Sequence, residues 1–354
     1  MKVLFVVPYP LGQAASQRFR FEQYLPQLEQ KGVLIQVIPF WSSSSWRVLY
    51  QRGKIIQKIG GLLQGFLKRG LLITRLHQYD IVFIHREATP VGPPWFEWLV
   101  AKVWKKRIIF DFDDAIWLPD ASVGNTIAAR LKWHHKTAAI CSWSYRVSCG
   151  NSYLQQYALA FNKASVLMPT TIDTRQQHKR QKQQSSQTVT VGWTGSHSTL
   201  PYLRLVEPVL QQLQQQYQFE FVVIADKAPE LNLISCTYVP WRKETEVEDL
   251  LRLNIGIMPL PDTEWAKGKC AFKALQYMAL GIPAVVSAVG ANKSAVVDGI
   301  TGFCCSTPEE WYKRLEQLIL DPELRAKMGA AGRAQVEEHY SVTANTTTFL
   351  SLFS

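Results

Sequence analysis

Short apolar runs alternate along this chain with longer stretches in which apolar residues return every three or four positions. The short runs predict buried strands at Lys2–Val7, Leu34–Pro39, Ile81–Ile84, Ile108–Phe112, Arg146–Ser148 and Val166–Met168. Between them, helical spacing marks Arg18–Lys31, Trp95–Lys105, Thr126–Ile140 and Ser152–Phe161. The segment Thr171–Thr188, with TRQQHKRQKQQSSQ at its centre, has no large apolar residue in that core and reads as a linker. The pattern then restarts. Strands are expected at Val189–Trp193, Phe219–Ile224, Ile255–Pro259, Ala284–Ser287 and Gly302–Cys304. Helices are expected at Pro201–Gln216, Glu244–Leu253, Ala271–Leu280, Pro308–Leu320 and Pro322–Glu338. Such alternation predicts an α/β class: parallel sheets covered by helices on both faces, here as two doubly wound, Rossmann-like domains in tandem. The expected division is residues 1–170, a linker 171–188 and a second domain 189–339, with a terminal helix 340–354 packing back on the first. Ligands in such sheets lie beyond the carboxyl ends of the strands, and two facing domains make a cleft.

Composition narrows the partner. A chain of 354 residues with 47% hydrophobic and 19% charged residues is globular, and its net charge of +11 asks for something anionic. The six cysteines show no CxxC spacing and read as reduced, mostly core thiols of a cytoplasmic protein. The start, MKVLFVVPYP, mimics a signal peptide, but its apolar run is short and interrupted by prolines, so a first buried strand is expected. Ala274–Asn292 is uncharged, yet Gly281-Ile282-Pro283 divides it, so no segment reads as membrane-spanning.

Trp265–Gly290, WAKGKCAFKALQYMALGIPAVVSAVG, holds the strongest chemical signal. It sets Lys267, Lys269 and Lys273 around the start of a predicted helix. At about 100° per residue, Lys269, Lys273 and Gln276 share one face, opposite Phe272, Leu275, Met278 and Ala279. Like charges four apart, placed at the positive end of a helix dipole, are disfavoured, so the pattern suggests an anion, with phosphate the usual tenant. A solvated lysine face is the plainer alternative. Each half also opens with a strand running into a small-residue loop. Val6–Gly12 leads to a helix bearing Arg18 and Arg20; Val191–Ser198 contains Thr194, Gly195 and Ser196, with Ser198 expected as an N-cap and Pro201 early in the helix. Gly12, Thr194, Gly195 and Ser196 would let backbone N–H groups reach an oxyanion. Neither loop is GxGxxG or Walker A, and ordinary strand-to-helix turns read equally well.

The stretch LQYMALGIPAVVSAVGANKSAVVDGITGF resembles the donor-nucleotide region of retaining glycosyltransferase family 4, and the match extends over Asn254–Cys304. The resemblance implies a GT-B fold. It also implies transfer of a sugar, with retention, from a nucleotide-diphosphate sugar to a glycan or lipid-linked acceptor in cell-envelope glycoconjugate synthesis. No metal or other cofactor is implied. The family carries two glutamates eight positions apart. The second falls on Gln276, which would contact the ribose; the first falls on Gly268, leaving Glu264 or Asp262 as substitutes. The family's Arg and Lys after the second domain's first strand are missing from WTGSHST, so the resemblance gives the diphosphate to Lys269 and Lys273. Gly268, Cys270, Ala271 and Phe272 complete the implied donor segment.

In DIVFIHREATP, His85, Arg86 and Glu87 end a strand, where the family often places a histidine facing sugar or acceptor; His85 and Arg86 compete for that place. DFDDAIW follows another strand. Its Asp111, Asp113 and Asp114 could hold a divalent ion, as in GT-A glycosyltransferases or haloacid-dehalogenase-like phosphatases, but the phosphatase threonine is replaced by Ile116. A cleft role for Asp113 and Asp114, binding acceptor hydroxyls with Arg18 or ordering the loop, is the preferred reading. Two alternatives stay open: a non-catalytic GT-B nucleotide- or glycan-binding protein, suggested by Gly268, and a sugar-nucleotide epimerase.

Trp46–His77 has no acidic residue. Leu49, Ile55, Ile56, Ile59, Leu62, Leu63, Phe66 and Leu67 recur among Arg47, Arg52, Lys54, Lys58, Lys68, Arg69 and Arg75. This suits a helix or helix pair on an anionic membrane surface, making the protein peripheral on the inner face of the cell membrane. A packed helix with a solvated basic face is the alternative. Nucleic acid could use the same charge, but no RNP, helix-turn-helix or zinc-finger signature accompanies it.

Overall fold

Every predicted strand becomes part of one of two parallel sheets. The computed structural model describes residues 1–49, 51, 53–119, 132–184 and 188–354. In the first half the strands are β1 (Lys2–Val7), β2 (Leu34–Pro39), β3 (Ile81–His85), β4 (Arg107–Phe112), β5 (Arg146–Cys149) and β6 (Ser165–Leu167). In the second they are β7 (Val189–Gly195), β8 (Phe219–Ala225), β9 (Cys236–Pro240), β10 (Ile255–Met258), β11 (Ala284–Ser287) and β12 (Gly302–Cys305). The sheet orders are β2-β1-β3-β4-β5-β6 and β12-β11-β10-β7-β8-β9. The register sets apolar residues side by side, with Val6 beside Ile84 and Val191 beside Phe221. Chain direction reverses across the sheet between β1 and β3, and again between β7 and β10. These are the two points where strand ends leave a crevice for a ligand.

Contacts divide the chain into Met1–Thr170 with Thr346–Ser354, and Thr171–Asn345. In the first unit the terminal residues pack on the sheet: Phe349 stacks on Tyr24 at 4.4 Å and Phe353 lies 6.1 Å from Phe83. In the second, the polar stretch from Thr171 is held by backbone contacts. Lys182 N donates to Leu280 O at 2.7 Å, and the Arg333 guanidinium donates to the carbonyls of His178, Ala279 and Thr174. Polar side chains can line a packed segment when the backbone supplies their partners. Residues 185–187 of that stretch lie outside the described residues.

Several helices are shorter than their periodicity predicted. Arg18–Lys31 resolves into Ala15–Arg18, a 3₁₀ turn at Glu22–Tyr24 and Leu25–Gln30, because Pro26 must sit in a first helical turn. Trp95–Lys105 becomes Trp95–Trp98 followed by a π turn, Leu99–Val103. Of Thr126–Ile140, residues 126–131 lie outside the described residues, and the described helix begins at Lys136. Pro201–Gln216 opens as a 3₁₀ helix, Leu200–Leu205, before the α-helix Glu207–Gln216. Ser198 is therefore not the expected cap; its hydroxyl bonds Ser196 Oγ at 2.9 Å. The edge strand β9 was not expected: five residues ending in proline carry too little alternation to be read. Of the six cysteines, all free, Cys141, Cys149 and Cys305 are buried, Cys270 and Cys304 half-buried and Cys236 exposed, so core placement holds for half of them rather than most.

Candidate functional site

The second unit collects the lysine signal at its switch point. β7 ends in Thr194-Gly195, and a Cβ on Gly195 would lie 2.4 Å from the Trp193 ring and 2.9 Å from Lys273 Cε. The bare glycine thus lets an indole and a lysine stem pass over the strand end. Lys273 Nζ sits 5.4 Å from the centre of the Trp193 ring, and Lys269 Nζ 5.2 Å from that of Trp265. Indole faces hold cations in place without cancelling their charge. Lys267 differs. It pairs with Glu264 at 2.6 Å, and both groups are substantially exposed. Glu264, expected near the sugar, therefore already has a cation.

The helical face drawn from the sequence needs correction. Glu264–Lys267 is a separate short helix, capped by the Thr263 side chain on Ala266 N at 3.2 Å and ending at Gly268. Cys270 Sγ lies 3.7 Å from Gly268 O. Ala271 then takes a left-handed conformation (φ 54°), and the next helix runs from Phe272 to Ala279. Lys269 therefore precedes the helix and does not share a helical face with Lys273 and Gln276. An alanine in that region costs on the order of 1 kcal/mol, a strain that clusters at functional sites. Gly290 allows the turn to close: at φ +53° it lies so near Lys267 O that a Cβ would approach to 2.7 Å.

Two buried groups on this helix position the site. Gln276 is 1% exposed and its Nε2 has no partner among the described residues. Tyr277, which the sequence reading missed, is fully buried. Its hydroxyl accepts from Thr194 N at 3.0 Å and donates to Ile257 O at 3.3 Å, joining the helix to the ends of β7 and β10. Burial raises its phenol well above the ordinary tyrosine value, so it stays a donor. Gly256 makes room: its Cβ would meet the Tyr277 ring at 2.3 Å. Gly256 three residues before Pro259 was the available clue. Beyond Gly195, Asp226 accepts from His197 N and Nδ1, both at 2.6 Å. The exposed Ser196 starts the loop that this pair braces.

The first unit has its own cluster of strand-end residues. His85, ending β3, is fully buried and its Nδ1 lies 2.7 Å from Asp111 Oδ2. A neutral imidazole donating from Nδ1 presents Nε2 as an acceptor, and Nε2 has no partner among the described residues. Asp111 also binds Arg20, which reaches Met168 O and, at 3.1 Å, Ser148 Oγ. Burial alone would raise the Asp111 carboxyl, but Arg20 and His85 hold it well below the usual carboxylate range. Arg86, at φ 58°, pairs with Asp113 at 2.7 Å and Asp114 at 2.6 Å. Glu87 pairs with Lys136 at 2.6 Å. Arg18, expected beside the acceptor, is buried with its guanidinium 4.9 Å over the Phe19 ring, and Arg20 makes the buried network instead. The helix stops at Arg18, and helical spacing does not forecast that Arg20, beyond its end, reaches Asp111. Gly12, expected in the donor set, lies in this unit, and its N–H donates to Glu22 at 2.8 Å. Among the described residues, no group of three or more His, Cys, Asp and Glu could hold a metal ion.

Residues 220–335 match the family model of glycosyl transferases group 1. Within the second unit, residues 220–335 are therefore similar to that family. Human alpha-1,3/1,6-mannosyltransferase ALG2 is 29% identical over 146 residues, which are 41% of this chain and 30% of that protein. The match thus spans about a third of the curated relative's length. Two solved structures share the architecture over the whole chain. Sucrose-phosphate synthase from Thermosynechococcus elongatus superposes with TM-score 0.71 and 14% identity, covering 100% of this chain and 98% of that one. Anabaena Alr3699/HepE, solved in complex with UDP, gives 0.64 and 12%, covering 100% and 99%. The paired parallel six-stranded sheets are the GT-B fold.

Proposed function

We propose that this protein moves a sugar from a nucleotide-diphosphate sugar to a glycan or lipid-linked acceptor, with retention and without a metal, in cell-envelope glycoconjugate synthesis. The second unit binds the donor in this reading, and the strand-end cluster of the first serves the acceptor. One observation carries it: in the unit whose residues 220–335 match the group 1 glycosyltransferase model, Lys273 lies over the Trp193 ring across the bare Cα of Gly195. That cation, Lys269 and the backbone amides of Gly195 and Ser196 would neutralise the departing diphosphate, where charge develops in the transition state. The buried Gln276 amide, with an uncommitted donor, would meet a ribose hydroxyl. The acceptor hydroxyl would attack from the leaving-group face, a step needing no protein nucleophile. His85 Nε2, oriented by Asp111, would accept a hydrogen bond from a sugar or acceptor hydroxyl.

The test is a screen of UDP-, GDP-, ADP- and CMP-sugars for binding, then for donor breakdown with and without lipid extract. Lys269→Ala and Lys273→Ala should each lower turnover by about 10²-fold or more while leaving thermal unfolding unchanged. Undiminished turnover in both variants would refute the diphosphate assignment. Gly268, standing where the family has a glutamate, favours a second reading as a non-catalytic binder. Donor binding without turnover over every acceptor class would support that reading, whereas release of free nucleotide without acceptor would indicate an epimerase.

A further inference from the structure

The basic, acid-free stretch forms two helices, Ser43–Leu49 and Ile55–Ile73, in the first unit; Arg52 between them lies outside the described residues. The longer helix is clamped along one face. Gly61 lies so close to Ser45 that a Cβ would approach to 2.7 Å, and at Gly65 a Cβ would meet the Phe40 ring at 2.4 Å. One turn further on, the buried Arg69 guanidinium donates to Ala88 O at 2.8 Å, Ile38 O at 3.0 Å and Val7 O at 2.9 Å. Gly61, Gly65, Arg69 and Leu72, spaced at helical intervals, fix this face to the ends of β1 and β2 and the chain after β3.

The face turned away from this clamp is apolar. Ile56 is 86% exposed, Ile59 51%, Leu63 63%, Leu67 64% and Leu71 59%, with Ile55 at 68% beside the start of the row. Steps of three, four, four and four residues align them in one ridge along a helix about 28 Å long. A surface helix ordinarily carries polar residues on its outward face, so this one inverts the rule. The exposed Lys54 and Arg75 stand near its two ends, Lys68 and the exposed Gln57 and Gln64 flank it, and no acidic side chain occurs between Glu29 and Asp80.

We propose that this ridge docks the protein on an anionic lipid bilayer, with the helix lying in the interface plane and its aliphatic side chains among the acyl chains. The charge decides the occupant. Lys54, Lys68 and Arg75, in a stretch with no acidic side chain, complement lipid phosphates, and a continuous row of large aliphatic side chains along one helix face suits the hydrocarbon below them. The clamp on the opposite face means that docking exposes no buried core. The inference concerns the first unit's surface and stands apart from the donor-site reading.

The experiment is flotation of the full chain with vesicles of phosphatidylcholine, alone and mixed with phosphatidylglycerol, at low and high salt. Binding is expected to the mixed vesicles only and to weaken with salt. The double variant Leu63→Gln/Leu67→Gln, altered at exposed positions, should lose about tenfold or more of the bound fraction while keeping the wild-type thermal midpoint. Lys54→Glu with Arg75→Glu should lose about fivefold or more, on anionic vesicles alone. Failure of the wild type to float with anionic vesicles at low salt would overturn the proposal. So would equal binding by the Leu63→Gln/Leu67→Gln variant. A concentration-dependent dimer that this variant abolishes, with no vesicle binding, would make a second copy of the chain the occupant and also overturn it.

Discussion

Removing one oxygen, in Tyr277→Phe, tests how the second unit holds its switch point. The ring would remain packed over Gly256, so the apolar contact is retained. What disappears is the acceptor for Thr194 N, at 3.0 Å, and the donor to Ile257 O, at 3.3 Å. A buried N–H left without a partner costs about 1–3 kcal/mol. In a unit spanning residues 171–345, each kcal/mol moves the thermal midpoint by about 2–4 °C, so the variant should melt roughly 2–12 °C lower. The lost bond also frees the end of β7 just before Gly195, so nucleotide affinity should fall together with stability. Scanning calorimetry and titration with UDP, GDP and ADP read the two effects. A variant with an unchanged midpoint and unchanged nucleotide affinity would show that this hydroxyl does not hold the strand end.

Two further outcomes follow from the same geometry. Gly195→Ala would press a methyl to 2.4 Å from the buried Trp193 ring and 2.9 Å from Lys273, so overpacking of about 1–3 kcal/mol and weaker nucleotide binding are expected; wild-type behaviour in both denaturant unfolding and titration would contradict it. Asp111→Asn leaves the buried Arg20 charge without its carboxylate and should destabilise by about 3–5 kcal/mol at neutral pH. Because the folded Asp111 carboxyl lies below its unfolded value of about 3.9, its stabilisation is fully present above that pH and is lost as pH falls through the folded value. The wild type should therefore lose its advantage over the variant on acidification, and a constant difference in denaturation midpoint down to about pH 2 would contradict the linkage.

Much of the architecture is determined locally. Strands β1, β3 and β8 appear where four or more apolar residues run together, since a strand buried on both faces needs an apolar side chain at nearly every position. Helix Pro308–Leu320 matches its predicted limits because Thr307 and Glu310 close a capping box at its start. The end of the helix Phe272–Ala279 was readable as well, because Gly281 takes a left-handed φ after it and Pro283 cannot continue it. The exposed edge strand β9 escaped because its pattern is too short to read, and the helix breaks after Arg18 because Pro26 starts a new first turn.

The sequence by itself determined two parallel α/β units, the clustering of Lys267, Lys269 and Lys273, and the acid-free basic stretch, because periodicity and composition act over a few turns. Tertiary structure alone decided what each lysine side chain meets. Lys267 is taken by Glu264, whereas Lys269 and Lys273 rest on indoles. It also set Arg20 rather than Arg18 against Asp111, and turned the apolar ridge of Ile55–Ile73 outward. A helix's periodicity shows that it has distinct faces. Which face is covered depends on where close contacts such as Gly61, Gly65 and the Arg69 guanidinium can be satisfied, and those partners lie on other elements of the fold.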